Sequence, residues 1–118
     1  MRRDDPELVA DMLVEIDDAI EFVEGYDPRS FLDDRRTRKA VAYSIQIMGE
    51  AARGISLQFK ADHPEVAWAK IVGIRHRIVH DYEGVNFKIV WAVVQEDLPN
   101  MRISLQRTIE SGDRIRVT

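Results

Sequence analysis

Asp5-Pro6-Glu7-Leu8-Val9-Ala10-Asp11-Met12-Leu13-Val14-Glu15-Ile16-Asp17-Asp18-Ala19-Ile20-Glu21-Phe22-Val23-Glu24-Gly25 sets the fold class. Val9, Met12, Leu13, Ile16, Ala19, Ile20 and Val23 recur at steps of three and four, while Asp11, Glu15, Asp18 and Glu21 take the opposite side. That period is an amphipathic helix laid on a core. Asp5 as N-cap and Pro6 in the first turn open it, and Gly25 closes it.

The same period continues downstream. After the turn at Tyr26-Asp27-Pro28, Ser30 reads as a cap with Asp33 three residues on, a variant of the capping box. A second main helix is expected from about Asp34 to Arg53, with Val41, Ile45, Met48, Ala52 and Ile55 apolar and Ala42 and Gly49 allowing close approach. Asp62-His63-Pro64-Glu65 breaks the chain, and a third helix from about Val66 to His80 carries Trp68, Ile71, Val72, Ile78 and Val79. Gly84 ends that region and Asn86 caps a fourth helix with Phe87, Val90, Trp91 and Val94. Asp97-Leu98-Pro99 either kinks it or starts a fifth carrying Met101, Leu105 and Ile109, and Asp113–Thr118 reads as a frayed tail. No segment alternates as a strand does. The expected fold is all-α, an up-and-down bundle of four to five helices without a sheet, filling residues 1–118 as one domain. Its core should include Leu13, Ile16, Ile20, Ile45, Met48, Trp68, Ile71, Val90 and Val94.

Composition excludes several classes. The 118 residues contain no cysteine, which removes disulfides, thiolate metal sites and cysteine nucleophiles together. Apolar runs such as Ile71–Ile74 and Ile89–Val94 are far too short to span a bilayer, and Met1–Pro6 lacks the apolar core of a signal peptide, so the chain reads as cytoplasmic. The net charge of −4 conceals an asymmetry: residues 1–34 hold twelve acids and three bases, residues 35–118 nine acids and fourteen bases. An acidic protein of this kind can still present a positive groove. The run Arg35-Arg36-Thr37-Arg38-Lys39 is the densest cationic stretch, although charge runs are commonly no more than solvated helix faces.

Chemistry concentrates in Arg75-His76-Arg77-Ile78-Val79-His80-Asp81-Tyr82. On a continuing helix His76 and His80, four apart, would share a face in the spacing of a two-histidine metal pair, with Glu83 as a third ligand. Arg75 and Arg77 flank that pair and would repel a cation, so the metal reading is weak and no cofactor is implied. Arg75 and Tyr82, seven apart, would share a stripe on the same helix. Arginine with histidine suits phosphate chemistry instead. Guanidinium forks onto phosphate oxygens and stabilises charge developing on them, and imidazole exchanges a proton near neutral pH. RNA brings its own nucleophile, the 2′-hydroxyl. Cleavage then needs two proton-transfer groups where one motif offers one well-placed histidine, and two copies meeting across a two-fold axis would supply the second.

Arg75, four residues, His80, one residue, Tyr82 resembles the Arg-x4-His-x-Tyr motif of HepT toxins, the HEPN-domain members of HEPN/MNT toxin–antitoxin pairs. The resemblance extends through Ile45–Ala52, His63–Trp68, Tyr82–Asn86, Val90-Trp91 and Asp97-Leu98-Pro99, roughly residues 5–110. It implies a HEPN-like bundle and a homodimeric, metal-independent endoribonuclease with Arg75 and His80 as catalytic pair in a cleft between protomers, acting on tRNA or mRNA. It further implies a cognate MNT-type nucleotidyltransferase antitoxin that attaches AMP to Tyr82. His76 stands where the family commonly has Asn, so it and Arg77 are accessory candidates only. The competing expectation is a non-catalytic helical module that binds nucleotide or pairs with a nucleotidyltransferase without cutting RNA; the presence of both Arg75 and His80 favours the nuclease.

Overall fold

The computed structural model describes residues 3–80 and 84–117, with side chains over 3–79 and 84–110. Six helical rods account for nearly all of it: α1 (Asp5–Phe22), α2 (Pro28–Asp33), α3 (Arg35–Gly54), α4 (Leu57–Asp62), α5 (Trp68–Ile78), and a last rod in which α6 (Phe87–Ala92) passes through a π-helical turn (Val93–Asp97) into α7 (Leu98–Val117). The bundle is all-α, as the apolar periodicity leads one to expect, and consistent with the HEPN-like fold that the resemblance implies, with four long members and two short ones. The exception to helix among the described residues is a two-residue antiparallel ladder, β1 (Val79–His80) with β2 (Gly84–Val85).

Local chemistry explains where each helix begins. Asp4, not Asp5, is the N-cap of α1, its carboxylate accepting the Glu7 N–H at 2.9 Å. Asp5 is thereby released for a tertiary contact. Its two oxygens accept from the backbone N–H and hydroxyl of Ser56 at 2.9 and 2.7 Å, tying the start of α1 to the cap of α4. Asp27 rather than Ser30 caps α2, with Ser30 as the reciprocal member of the capping box. The fixed φ of Pro28 suits the first helical turn, so the cap falls one residue before it. Asp34 caps α3 and gathers three donors, the Thr37 N–H, the Thr37 hydroxyl and the Tyr26 hydroxyl, the last at 2.6 Å. Gly25, at φ 79°, makes the left-handed turn that ends α1.

α3 is the central helix. One side packs antiparallel along α1, and it also meets α2, α5 and α6. A β-carbon at Gly54 would stand 3.2 Å from Leu8 Cδ1, so the close approach expected at Gly49 occurs here instead. Nothing lies within 4 Å of where a Gly49 side chain would begin. Val9, Met12, Ile16, Val41, Met48, Ile71, Ile74, Val90, Val93, Leu98 and Leu105 are sealed from solvent; each side chain of this size contributes about 1.5–3 kcal/mol by leaving water. Of the expected core, Ile20 alone is only partly buried, packed against the cluster's edge. Phe31 of α2 is fully buried and meets Trp91 at 5.3 Å between centroids, joining the short helix to the last rod.

Two boundaries differ from the periodic reading in ways that matter for the site. α5 stops at Ile78, so His76 and His80 do not share a helical face, and a continuous Arg75–Tyr82 helical stripe does not form. The cause is the hairpin. Val79 pairs with Val85 and His80 with Gly84, Gly84 takes φ 78°, and the Asn86 N–H donates to the Ile78 carbonyl at 2.6 Å, claiming an oxygen at the helix end. Asp81, Tyr82 and Glu83 lie outside the described residues. At the other end, Asp97-Leu98-Pro99 marks the start of α7 at Leu98, as one of the two expected readings has it, although a π-helical turn rather than a break joins it to α6. A π turn precedes Leu98, and the Pro99 ring is accommodated where the backbone is already widened. α7 also runs on to Val117, because Ser111-Gly112 is too weak a signal to stop a helix already propagating.

The Asp34 cluster makes a pH prediction. Hydrogen bonds from the Tyr26 hydroxyl, the Thr37 N–H and the Thr37 hydroxyl hold its carboxyl down to about 2 from an ordinary 3.8. A folded pKa below the unfolded one contributes stability in full above the unfolded value and loses it as pH falls toward the folded value. Asp34→Asn should therefore be less stable than wild type at neutral pH, with the gap closing between about pH 4 and pH 2. Urea midpoints measured across that range check it; a gap independent of pH would contradict it.

Candidate active site

Residues of α3 and α5 line a groove of about 620 Å³. Its floor is apolar, with Ile45, Ile71, Ile74 and Ile78 below and Ala69, Val72 and Val79 along the lip. Gly49 and Gly73 also line it, and nothing stands within 4 Å of where a side chain at either would begin. Among the described residues the polar groups lining it are Gln46, Glu50 and Arg53 from α3 and Arg75 and His76 from α5. Three of these are cationic or can become so, against one carboxylate.

The sequence-predicted residues divide here. Arg75 and His76, in the last turn of α5, both line the groove. Arg77 does not; it points to the other side of α5, where its Nη1 donates to Asp97 Oδ2 at 2.8 Å. His80 begins two residues past the helix end, its backbone held in the ladder opposite Gly84. Tyr82 lies outside the described residues. The two ends of the Arg75–His80 motif thus sit on different elements, Arg75 on α5 and the His80 backbone in the ladder.

Asp97 is the residue that sequence reasoning missed. It is 8% exposed, and its second oxygen accepts from Lys70 Nζ at 2.9 Å. Lys70 and Arg77 are seven apart on α5, two turns on one face, and one carboxylate in the π turn spans both. The clamp fixes the rotation of α5 about its axis, turning Arg77 inward toward the last rod and leaving Arg75 and His76 to the groove. Burial alone would raise the Asp97 carboxyl, but the hydrogen bonds and charges of Arg77 and Lys70 outweigh it and hold it below the usual range. The i, i+7 pair of cations was a legible signal; their partner, 20 residues beyond Arg77, was not.

An apolar groove with a cationic rim is equipped to hold an anion with an organic body. Guanidinium and imidazole together can grip a phosphate and move a proton beside it. No group of three or more His, Asp or Glu side chains among the described residues could hold a metal ion.

A family model described as ribonuclease HepT-like matches residues 12–108. The chain belongs to the HepT-like ribonuclease family. A protein of Thermococcus cleftensis named "probable ribonuclease HepT" is 35% identical over 96 residues, covering 78% of this chain and 87% of its own. One of Methanocaldococcus jannaschii named "putative RNase" is 34% identical over 101 residues, covering 86% and 93%. No solved structure matches the chain at a significant level. Membership of a HepT-like ribonuclease family supports ribonuclease activity, and the match takes in both walls of the groove, the hairpin and the Asp97 clamp. No helix among the described residues is long and apolar enough to cross a membrane.

The clamp predicts a structural cost. Asp97→Asn should lower unfolding free energy by about 1–2 kcal/mol, less than a fully buried ion pair because Lys70 and Arg77 are each about half exposed. Urea denaturation measures it. Lys70→Gln and Arg77→Gln should each cost less than Asp97→Asn, since each leaves the carboxylate one partner.

Proposed function

We propose that this HepT-like protein is a metal-independent endoribonuclease toxin that works as a homodimer and is silenced by a nucleotidyltransferase partner. The observation that carries the reading is the groove presenting Arg75 of the Arg75-x4-His80-x-Tyr82 motif in a chain of a ribonuclease family. His80 removes the proton from a 2′-hydroxyl, and the freed oxygen attacks the adjacent phosphorus. Arg75 stabilises the phosphorane that forms. The bond to the 5′-oxygen breaks as that oxygen takes a proton from a second imidazole, giving a 2′,3′-cyclic phosphate and a 5′-hydroxyl end.

The second imidazole comes from a second copy. Val72 and Val79, each 37% exposed, flank Arg75 and His76 and supply apolar contact for that copy. Such contact is needed because the arginines of two facing motifs repel until RNA phosphate arrives. Tyr82 stands two residues beyond His80. AMP on its hydroxyl brings a phosphate for Arg75 and a nucleotide that occupies the path of the substrate, a covalently held product mimic.

His80→Ala and Arg75→Ala should each lower cleavage by ~10²-fold or more, the size of losing an acid–base group or a charge stabiliser, with wild type unaffected by EDTA. A 2′-deoxy substitution at the cut should abolish the reaction. If purified wild type leaves RNA intact, or His80→Ala is as toxic as wild type at equal expression, the nuclease reading fails and the non-catalytic module takes its place. For silencing, co-expression with the partner followed by intact-mass measurement should show AMP-sized increments on wild type and none on Tyr82→Phe. A neutralised but unmodified wild type would point to inhibition by complex formation alone.

A further inference from the structure

Arg35, Lys39, Tyr43, Gln46, Glu50 and Arg53 follow one another along α3 at steps of four, four, three, four and three. They form a single row on one face, about 27 Å long at 1.5 Å per residue. All six are exposed. The last three are the α3 wall of the groove, across from Arg75 and His76. The first three continue that wall beyond the groove's end.

Tyr43 is the anomaly of the row. It is 65% exposed and belongs to no part of the core. Other aromatic and cationic side chains nearby have structural employment: Tyr26, in the turn before α2, packs back onto Asp34 and Thr37 through its hydroxyl, and Arg38 of α3 lies over the Phe87 ring at 4.9 Å. Tyr43 has none among the described residues, and Arg35, Lys39 and Arg53 have no carboxylate within salt-bridge distance there. The surrounding charge is polarised. α3 carries five bases and one acid, whereas α1, packed on its other side, carries seven acids and no base. A polyanion is therefore drawn to the outer face of α3 and repelled from the face behind it.

We infer that Arg35, Lys39 and Tyr43 form a landing track for unpaired RNA, leading it along α3 into the groove. This rests on the ribonuclease reading for the identity of the polyanion. Arg35 and Lys39, one turn apart, take successive stretches of the phosphate backbone, and Tyr43 offers its ring to one base. A stacked base must be free of its duplex neighbours, so the track selects single-stranded segments. Glu50, the one carboxylate on the row, marks where the phosphates leave α3 for Arg75 on the facing helix.

The test is fluorescence anisotropy with the full chain carrying His80→Ala, using a labelled mixed-sequence single-stranded RNA and the same RNA annealed to its complement. Tyr43→Ala should weaken single-strand binding ~10-fold, as for loss of one base–aromatic stack, with the salt dependence and duplex binding unchanged, and Tyr43→Phe should bind as the parent does. Arg35→Gln with Lys39→Gln should make the log–log salt slope shallower by about 1.4, two single-strand phosphate contacts. In the cleavage-competent chain the same substitutions should raise KM and leave kcat in place. The inference is overturned if Tyr43→Ala binds single-stranded RNA normally, weakens duplex binding equally, or changes the molar mass by light scattering, which would give this face to a second copy. Failure of the nuclease reading looks different: wild type does not cleave RNA, whatever the track variants do to binding.

Discussion

Burial of one face of Arg35–Gly54 underlies every other feature of the molecule. Val41, Ser44, Ile45, Met48, Ala51 and Ala52 all turn inward, and that helix meets α1, α2, α5 and α6. Its buried face is consumed by these neighbours, above all α1, and the row from Arg35 to Arg53 is left exposed along the helix. The groove, its α3 wall and the cationic row are all parts of that leftover face.

The facing wall is positioned by charge as much as by apolar contact. Ile71, Ile74 and Ile78 anchor α5 in the core, but three isoleucines along one stripe leave room for axial rotation. The carboxylate of Asp97, reaching Lys70 and Arg77 two turns apart, removes that freedom. It also sorts the cations of the last turn. Arg77 becomes structural, while Arg75 and His76 are left to line the groove. The π turn that carries Asp97 is the local irregularity that lets a rigid rod aim a side chain across to α5.

Most of this is legible from residues alone. Val9 to Val23 specify an amphipathic helix because nothing nonlocal is needed to see a 3.6-residue period. Asn86 and Gly84 are recognisable because capping and left-handed turns are properties of single residues. The caps at Asp4 and Asp27 are harder to place against the polar residues beside them, Asp5 and Ser30, since aspartate and serine both cap and only the backbone's turning point chooses between them. The end of α5 is invisible to periodicity because Ile78-Val79-His80 carries no breaker. What stops the helix is Val85 and Asn86 returning beside Val79 and Ile78, a pairing that propensity at Val79 does not announce.

Local period and side-chain chemistry therefore suffice for the helical class, the succession of rods and the core stripe of each. Three features lie beyond their reach and come from packing in three dimensions. Arg77 is spent on Asp97, Gly54 rather than Gly49 receives a neighbouring helix, and Arg75 shares a groove with Gln46, Glu50 and Arg53 while His80 stands on a hairpin. Each of these depends on which faces of two distant helices meet. That is set by the packing of the whole core, which no single stretch of chain contains.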